Sequence, residues 1–162
     1  LRAVEVFDPV TERWTPVASM REERSRHTMT LLADGRVLVT GGNNIAAGTQ
    51  LAGTEIYDPG ADRWEPGPKM VEPRMDHTAT PLADGRVLVA GGFNGVGEPH
   101  TLETCEVYAP AANSFVPAAR LPLPVHEHAA IALPGGGVLV SGGMIVAGGR
   151  RSVTSATIIL AP

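Results

Sequence analysis

One stretch of seventeen residues is written three times in this chain. Residues 26–42 read RHTMTLLADGRVLVTGG, residues 76–92 read DHTATPLADGRVLVAGG, and residues 127–143 read EHAAIALPGGGVLVSGG. The closing glycine pairs, Gly41-Gly42, Gly91-Gly92 and Gly142-Gly143, are spaced 50 and then 51 residues apart. A fixed period of this length means one supersecondary unit used repeatedly, each copy burying its faces against its neighbours.

The first copy shows what the unit is. His27 to Leu32 alternates weakly, and Val37-Leu38-Val39-Thr40 is a short β-branched run. Between them lies Ala33-Asp34-Gly35-Arg36, and Asp-Gly between two strand-like runs signals a hairpin with a type I′ turn. The glycine pair ends the second strand and lets neighbouring backbone approach. A third strand ends in a Pro-containing turn, Glu55-Ile56-Tyr57-Asp58-Pro59 or Glu106-Val107-Tyr108-Ala109-Pro110. A large aromatic then marks a fourth strand, Trp64 or Phe115, before a Pro-rich connection. Helix is excluded by apolar runs that are short, β-branched and fenced by glycine.

The unit divides the chain. Residues 1–17 are the end of one unit, with Trp14 as its aromatic; 26–66 and 77–117 are full units; 127–160 is a last unit without its fourth strand. That count gives thirteen strands. The 19 glycines and 14 prolines follow the repeat, so they mark turns rather than disorder. A net charge of −4 argues against a nucleic-acid surface. No apolar run is long enough to span a bilayer as a helix. One cysteine, Cys105, permits no intrachain disulfide and does not fix the compartment. The opening Leu1-Arg2-Ala3-Val4-Glu5 starts inside a strand pattern, which reads as a piece of a longer chain.

The glycine doublet, the Tyr-Asp-Pro turn, the aromatic six residues past the Asp (Asp8/Trp14, Asp58/Trp64) and the Arg-x-x-His opening (Arg24/His27, Arg74/His77) resemble kelch repeats. The Asp-Gly-Arg-Val-Leu-Val-x-Gly-Gly form looks like the bacterial, galactose-oxidase-like branch. The resemblance implies an all-β kelch-type β-propeller of about three four-stranded blades. Propellers close with about 4–8 blades, so such a chain is a half-propeller fragment or one protomer of a six-bladed ring. In the second case a homodimer completes the ring, the Trp14 strand of one copy serving the last blade of the other.

The resemblance places two loop sets on one face: 20–27, 69–77 and 120–128, and after the glycines 43–53, 93–102 and 144–153. Arg24, Arg26, Arg74, Asn43, Asn44, Asn94 and His128 are the candidates for binding a protein or a small polar or acidic ligand there. An arginine fork suits a carboxylate. The alternative for Arg24 and Arg74 is bracing of blades through backbone carbonyls. An enzyme built at the channel mouth would use Arg24, Asp76, His126 and Glu127.

His27, His77 and His128 repeat in register, but equivalent positions on successive blades stand too far apart to share a zinc ion, whose nitrogen ligands lie about 2 Å away. They are expected in structural hydrogen bonds. His126 and His128 would share one strand face, with Glu127 on the other. The copper site of galactose-oxidase-like enzymes does not carry over, because Tyr57 and Tyr108 occupy repeat positions and Cys105 shares a strand with Tyr108. No metal and no cofactor is expected. The first reading is therefore a non-catalytic scaffold that binds through its loops; the second is an oxidase- or sugar-isomerase-like enzyme.

Overall fold

The computed structural model describes residues 1–96, 98–147, 150–153 and 157–160, and the regular elements among them are all β-strands. The chain opens with an antiparallel hairpin of β1 (Val4–Asp8) and β2 (Arg13–Val17). The first full blade follows: β3 (Thr28–Leu31), β4 (Val37–Thr40), a two-residue pair β5 (Asn43–Asn44) and β6 (Thr49–Gln50), then β7 (Thr54–Asp58) and β8 (Arg63–Pro66). Its four long strands pair in the order β3-β4-β7-β8. The second blade repeats this with β9 (Thr78–Pro81), β10 (Val87–Ala90), β11 (Phe93–Asn94), β12 (His100–Thr101), β13 (Cys105–Ala109) and β14 (Ser114–Ala118), in the order β9-β10-β13-β14. The last has β15 (Ala129–Ala132), β16 (Val138–Ser141), β17 (Met144–Ala147), β18 (Arg150–Val153) and β19 (Thr157–Leu160), in the order β15-β16-β19.

The three Val-Leu-Val runs thus occupy the second strands of three separate sheets. These sheets are kelch-type propeller blades, and the first strands β3, β9 and β15 are successive neighbours along one side. Thirteen long strands belong to the blades and the opening hairpin. The extra pairs β5–β6, β11–β12 and β17–β18 lie within the loops after the glycine doublets. The first two are two-residue ladders that leave no alternation to read, and the third pairs four residues with four.

Three apolar clusters cement the faces. Val4, Val17 and Ala18 of the opening hairpin region meet Met20, Val39, Tyr57 and Trp64. Leu32, Leu38 and Ile56 meet Val87 and Tyr108, with Phe115 beside them. Leu88, Ala90, Cys105 and Val107 meet Val138 and Val140. Each third strand sets an aromatic opposite one on the fourth: Phe7–Trp14, Tyr57–Trp64 and Tyr108–Phe115, with ring centroids 5.1, 4.9 and 5.2 Å apart. Such tilted cross-strand pairs add stability beyond their buried area.

Trp64 packs between sheets and donates its indole N–H to Ala18 O at 2.7 Å. Trp14, its counterpart in the opening hairpin, is 64% exposed, because the face it shares with Phe7 meets no sheet among the described residues.

The hairpin turns differ from a type I′ turn. Gly35 has φ +86°, while Asp34 does not have positive φ. Gly35 N–H donates to Leu32 O, and Leu32 N–H to Arg36 O. This is a three-residue loop, a turn followed by a left-handed glycine. Asp34 caps it by accepting the Arg36 amide N–H at 3.0 Å.

Candidate functional site: the face of the glycine-pair loops

The two loop sets are stitched together strand-fashion. Ser25 bridges to Asn43, Met75 to Phe93 and His126 to Met144, each through two backbone hydrogen bonds of 2.8 to 3.1 Å. The glycine doublets explain themselves here. A Cβ on Gly41 would sit 2.4 Å from Arg74 O, and one on Gly91 2.4 Å from Val125 O. The next blade's loop therefore lies where any other residue would carry its side chain. Gly42 and Gly92 then donate their N–H groups to those same carbonyls, at 2.8 and 2.9 Å.

Arg24 and Arg74 were candidates for gripping a ligand; they are only 4% and 0% exposed. Arg24 Nη1 donates to Gly41 O at 2.8 Å and Gly53 O at 3.0 Å, and Nη2 to Glu55 Oε1 at 2.9 Å. Arg74 Nη1 donates to Gly91 O at 2.6 Å and Thr104 O at 3.0 Å, and Nη2 to Glu106 Oε1 at 2.8 Å. Glu55 and Glu106 also accept backbone N–H groups from the loop: Arg21 and Glu22 for the one, Val71 and Glu72 for the other. Both arginines tie a loop to the third strand of their own blade, the arrangement that the bracing alternative describes. Their burial sets these partners. A guanidinium brought this deep must spend its donors on protein acceptors.

The histidines couple neighbouring blades. His77 Nε2 of the second blade lies 2.8 Å from Thr40 Oγ1 and 3.1 Å from Thr28 Oγ1 of the first. His128 Nε2 of the last blade lies 2.9 Å from Thr78 Oγ1 of the second. Burial, with Arg74 next, holds the His77 imidazole down at about 3; burial, with His126 next, holds His128 at about 4. Both are neutral at physiological pH. His27 is lowered as well, by burial first and Arg24 second.

Among the described residues no group of three or more His, Cys, Asp or Glu is placed to hold a metal ion. His126 and His128 do not share a strand face. Glu127 between them has φ +54°, which turns the chain and sends the two rings apart.

That left-handed position recurs. Arg26, Asp76 and Glu127 have φ +56°, +54° and +54° on three successive blades. Asp76 N–H donates to Arg26 O at 3.1 Å and Glu127 N–H to Asp76 O at 2.9 Å, a backbone ladder from blade to blade. Non-glycine residues adopt this conformation only where the surroundings impose it, often at functional positions.

All three residues face one cavity of about 350 Å³, together with His126, Phe93, Met75 and Met144. Arg26 Nη1 pairs with Asp76 Oδ2 at 2.9 Å. The Phe93 and His126 rings stand 5.5 Å apart. Thr101 Oγ1 lies 3.1 Å from His126 Nδ1 and accepts the Val146 N–H at 2.7 Å. Arg26, Asp76, His126 and Glu127, all named from the sequence, therefore converge. Thr101, Phe93, Met75 and Met144 were not named; Phe93 and Met144 signal only by following a glycine pair, Met75 only by preceding Asp76, and Thr101 carries no signal.

The asparagines do other work. Ser25 Oγ donates to Asn43 Oδ1 at 2.5 Å. Asn44 Oδ1 accepts the Ala47 N–H, and the buried Asn94 accepts the Val96 N–H. Asn44 and Asn94 shape their own loops through short-range turns, the usual use of Asn in such places, while Asn43 ties its loop to the one that carries Ser25. His128 is held by Thr78 and does not line the cavity.

Repeated four-stranded blades joined along their first strands make this a β-propeller-type repeat chain. The Kelch motif family model matches residues 1–21, the opening hairpin and the loop after it, and this match supports a kelch-repeat protein, as do the repeated blades. No curated protein matches the sequence. No helix among the described residues is long and apolar enough to cross a membrane.

Proposed function

We propose that residues 1–162 form one segment of a kelch propeller and that the segment is a non-catalytic scaffold, binding a small polar ligand or a protein side chain at the mouth cavity. The observation that carries this is the convergence of Arg26, Asp76, His126 and Glu127 on one pocket of about 350 Å³. That volume is within the range of small-ligand sites, which combine apolar walls with a few polar groups. Phe93, Met75 and Met144 supply the walls; the Arg26–Asp76 pair and Glu127 supply the polar groups.

Thermal-shift titration with a panel of polyols, amino acids and short acidic peptides tests it. A ligand that raises the melting temperature should lose its effect in Arg26→Ala and Asp76→Asn, and keep it in Arg36→Ala at the far end of the strands. A ligand effect indifferent to all three substitutions refutes the mouth as the site.

An enzyme is the second reading, and one observation favours it: Asp76, His126 and Glu127, the residues such a site would use, line the same cavity. Its Arg24 is lost to the brace. Glu127→Gln should then abolish turnover of a bound sugar or alcohol while binding and melting temperature persist.

A further inference from the structure

The charges around the mouth cavity do not have the balance that three loop arginines suggest. Arg24 and Arg74 are buried on Glu55 and Glu106 and do not line it. Arg26 does, with its Nη1 2.9 Å from Asp76 Oδ2. That leaves Glu127. Its backbone N–H goes to Asp76 O, but among the described residues no ion pair holds its carboxylate. The lining therefore carries one guanidinium and two carboxylates, and the guanidinium answers only one of them.

The apolar part of the lining agrees in sign. Phe93, Met75 and Met144 are half-buried in the same cavity. A ring face attracts a cation, and thioethers pack readily against an alkyl stem. A bare metal ion fits less well, because no group of three or more His, Cys, Asp or Glu could hold one among the described residues. A carboxylate would compete with Asp76 for Arg26 and bring a third negative charge into the cavity. Arg26 lies on the open side, with its side chain 54% exposed against 13% for Asp76. Their ion pair occupies Nη1, so other guanidinium N–H groups remain for the uncharged part of a ligand.

We propose that the mouth cavity selects an alkylammonium group, of a free amine or of a lysine side chain. Glu127 is its counter-ion, Phe93 and the two methionines surround its stem, and the Arg26–Asp76 pair meets the polar remainder of the ligand. This rests on the mouth as the binding site and adds the sign of the ligand's charge.

The test is an amide NMR titration of the full 162-residue chain with probes of one shape: n-butylammonium, n-butanol and butyrate. The ammonium should shift the Asp76, Phe93 and Glu127 amides and bind about tenfold or more tighter than the other two, the worth of one charge-assisted hydrogen bond. High ionic strength should weaken it. Glu127→Gln should remove the preference with the melting temperature unchanged, since that side chain is exposed. Glu12→Gln, in the turn of the opening hairpin, should keep it, which separates the site from general attraction to a chain of net charge −4. N-acetyl-lysine methylamide distinguishes the two sources. Tighter binding than the simple amine, with the gain lost in Arg26→Ala, identifies a lysine side chain; equal binding identifies a free amine.

Butanol or butyrate held as tightly as the ammonium, with shifts still at the mouth, overturns the charge assignment and leaves the mouth as the site. Arg151 stands opposite Val146 across β17–β18. Butyrate binding that disappears in Arg151→Gln would give the cavity a second cation and overturns the assignment too. Ammonium binding indifferent to both Glu127→Gln and Asp76→Asn overturns the mouth reading with it. No binding of either ammonium probe overturns the assignment alone.

Discussion

The loop that enters the second blade and the loop that enters the last one do the same mechanical job with opposite chemistry. Arg74 O accepts Gly42 N–H, and Val125 O accepts Gly92 N–H. Arg74 N–H donates to Leu51 O, and Val125 N–H to Leu102 O. Behind this shared backbone the second blade buries an arginine on Glu106, whereas the last blade has a buried valine, with Ile158 at the register position of the glutamate. Both charges are exchanged together, and the loop amide that would serve the carboxylate is gone too, since Pro122 replaces Val71. The lesson is that the backbone contacts and the glycine doublet define the joint. The last blade's joint forms without the buried ion pair, as expected where apolar residues can replace buried charges at little net loss.

The strongest way to break this comparison is to remove half of the pair. Arg74→Met leaves Glu106 buried against Val71 and Glu72 amides alone, and should destabilise the chain by about 3–5 kcal/mol. Urea unfolding measures it. Arg74→Val with Glu106→Ile copies the last blade and should recover much of the loss. A residue of about 2 kcal/mol remains for the Val71 and Glu72 amides that then lack their acceptor. If the double variant is no better than the single, the two joints are not equivalent.

The next largest effect compares Gly91 with Gly142. Both are left-handed, at φ +60° and +70°. A Cβ on Gly91 meets Val125 O at 2.4 Å and the His128 ring at 3.0 Å, while one on Gly142 meets nothing within 4 Å. Gly142→Ala should therefore cost only the conformational penalty, about 1–2 kcal/mol. Gly91→Ala adds a backbone collision and should cost at least about 1 kcal/mol more. Thermal melts of the two variants decide it; equal losses would mean that the next loop can retreat.

The blades were legible because the text repeats: β-branched runs, doublets and aromatics recur with the period, and each copy supports the others. What the joint does was only half legible. Arg24 and Arg74 stood out as exposed-type residues in loops, yet their partners Glu55 and Glu106 lie about thirty residues on, and only the paired register brings them together. The loss of both partners in the last unit, Val125 with Ile158, is visible once that register is known. The mouth was harder. Arg26 is a cation whereas Asp76 and Glu127 are carboxylates, and none is a glycine, so nothing in the residue types reveals a common left-handed conformation. Phe93, Met75 and Met144 are ordinary apolar residues until the loops close around them.

The smallest effect concerns the histidines and compares the same two joints by pH. His77 and His128 are held neutral, at about 3 and about 4, against about 6.5 in the unfolded chain. Between these values the unfolded chain binds protons that the folded one refuses. Their contribution is therefore complete above pH 6.5 and is lost as pH falls toward 4. From pH 7 to pH 5.5 each should cost about 1 kcal/mol, steepening toward about 1.4 kcal/mol per pH unit below that. His77 lies within reach of two threonine hydroxyls and His128 of one. His77→Gln should thus lower stability at pH 7.5 more than His128→Gln, while each flattens the pH profile by a similar amount down to pH 5. A profile unchanged by either substitution would mean that these rings accept protons as readily in the fold as outside it, and that the hydroxyls, not desolvation, set their behaviour.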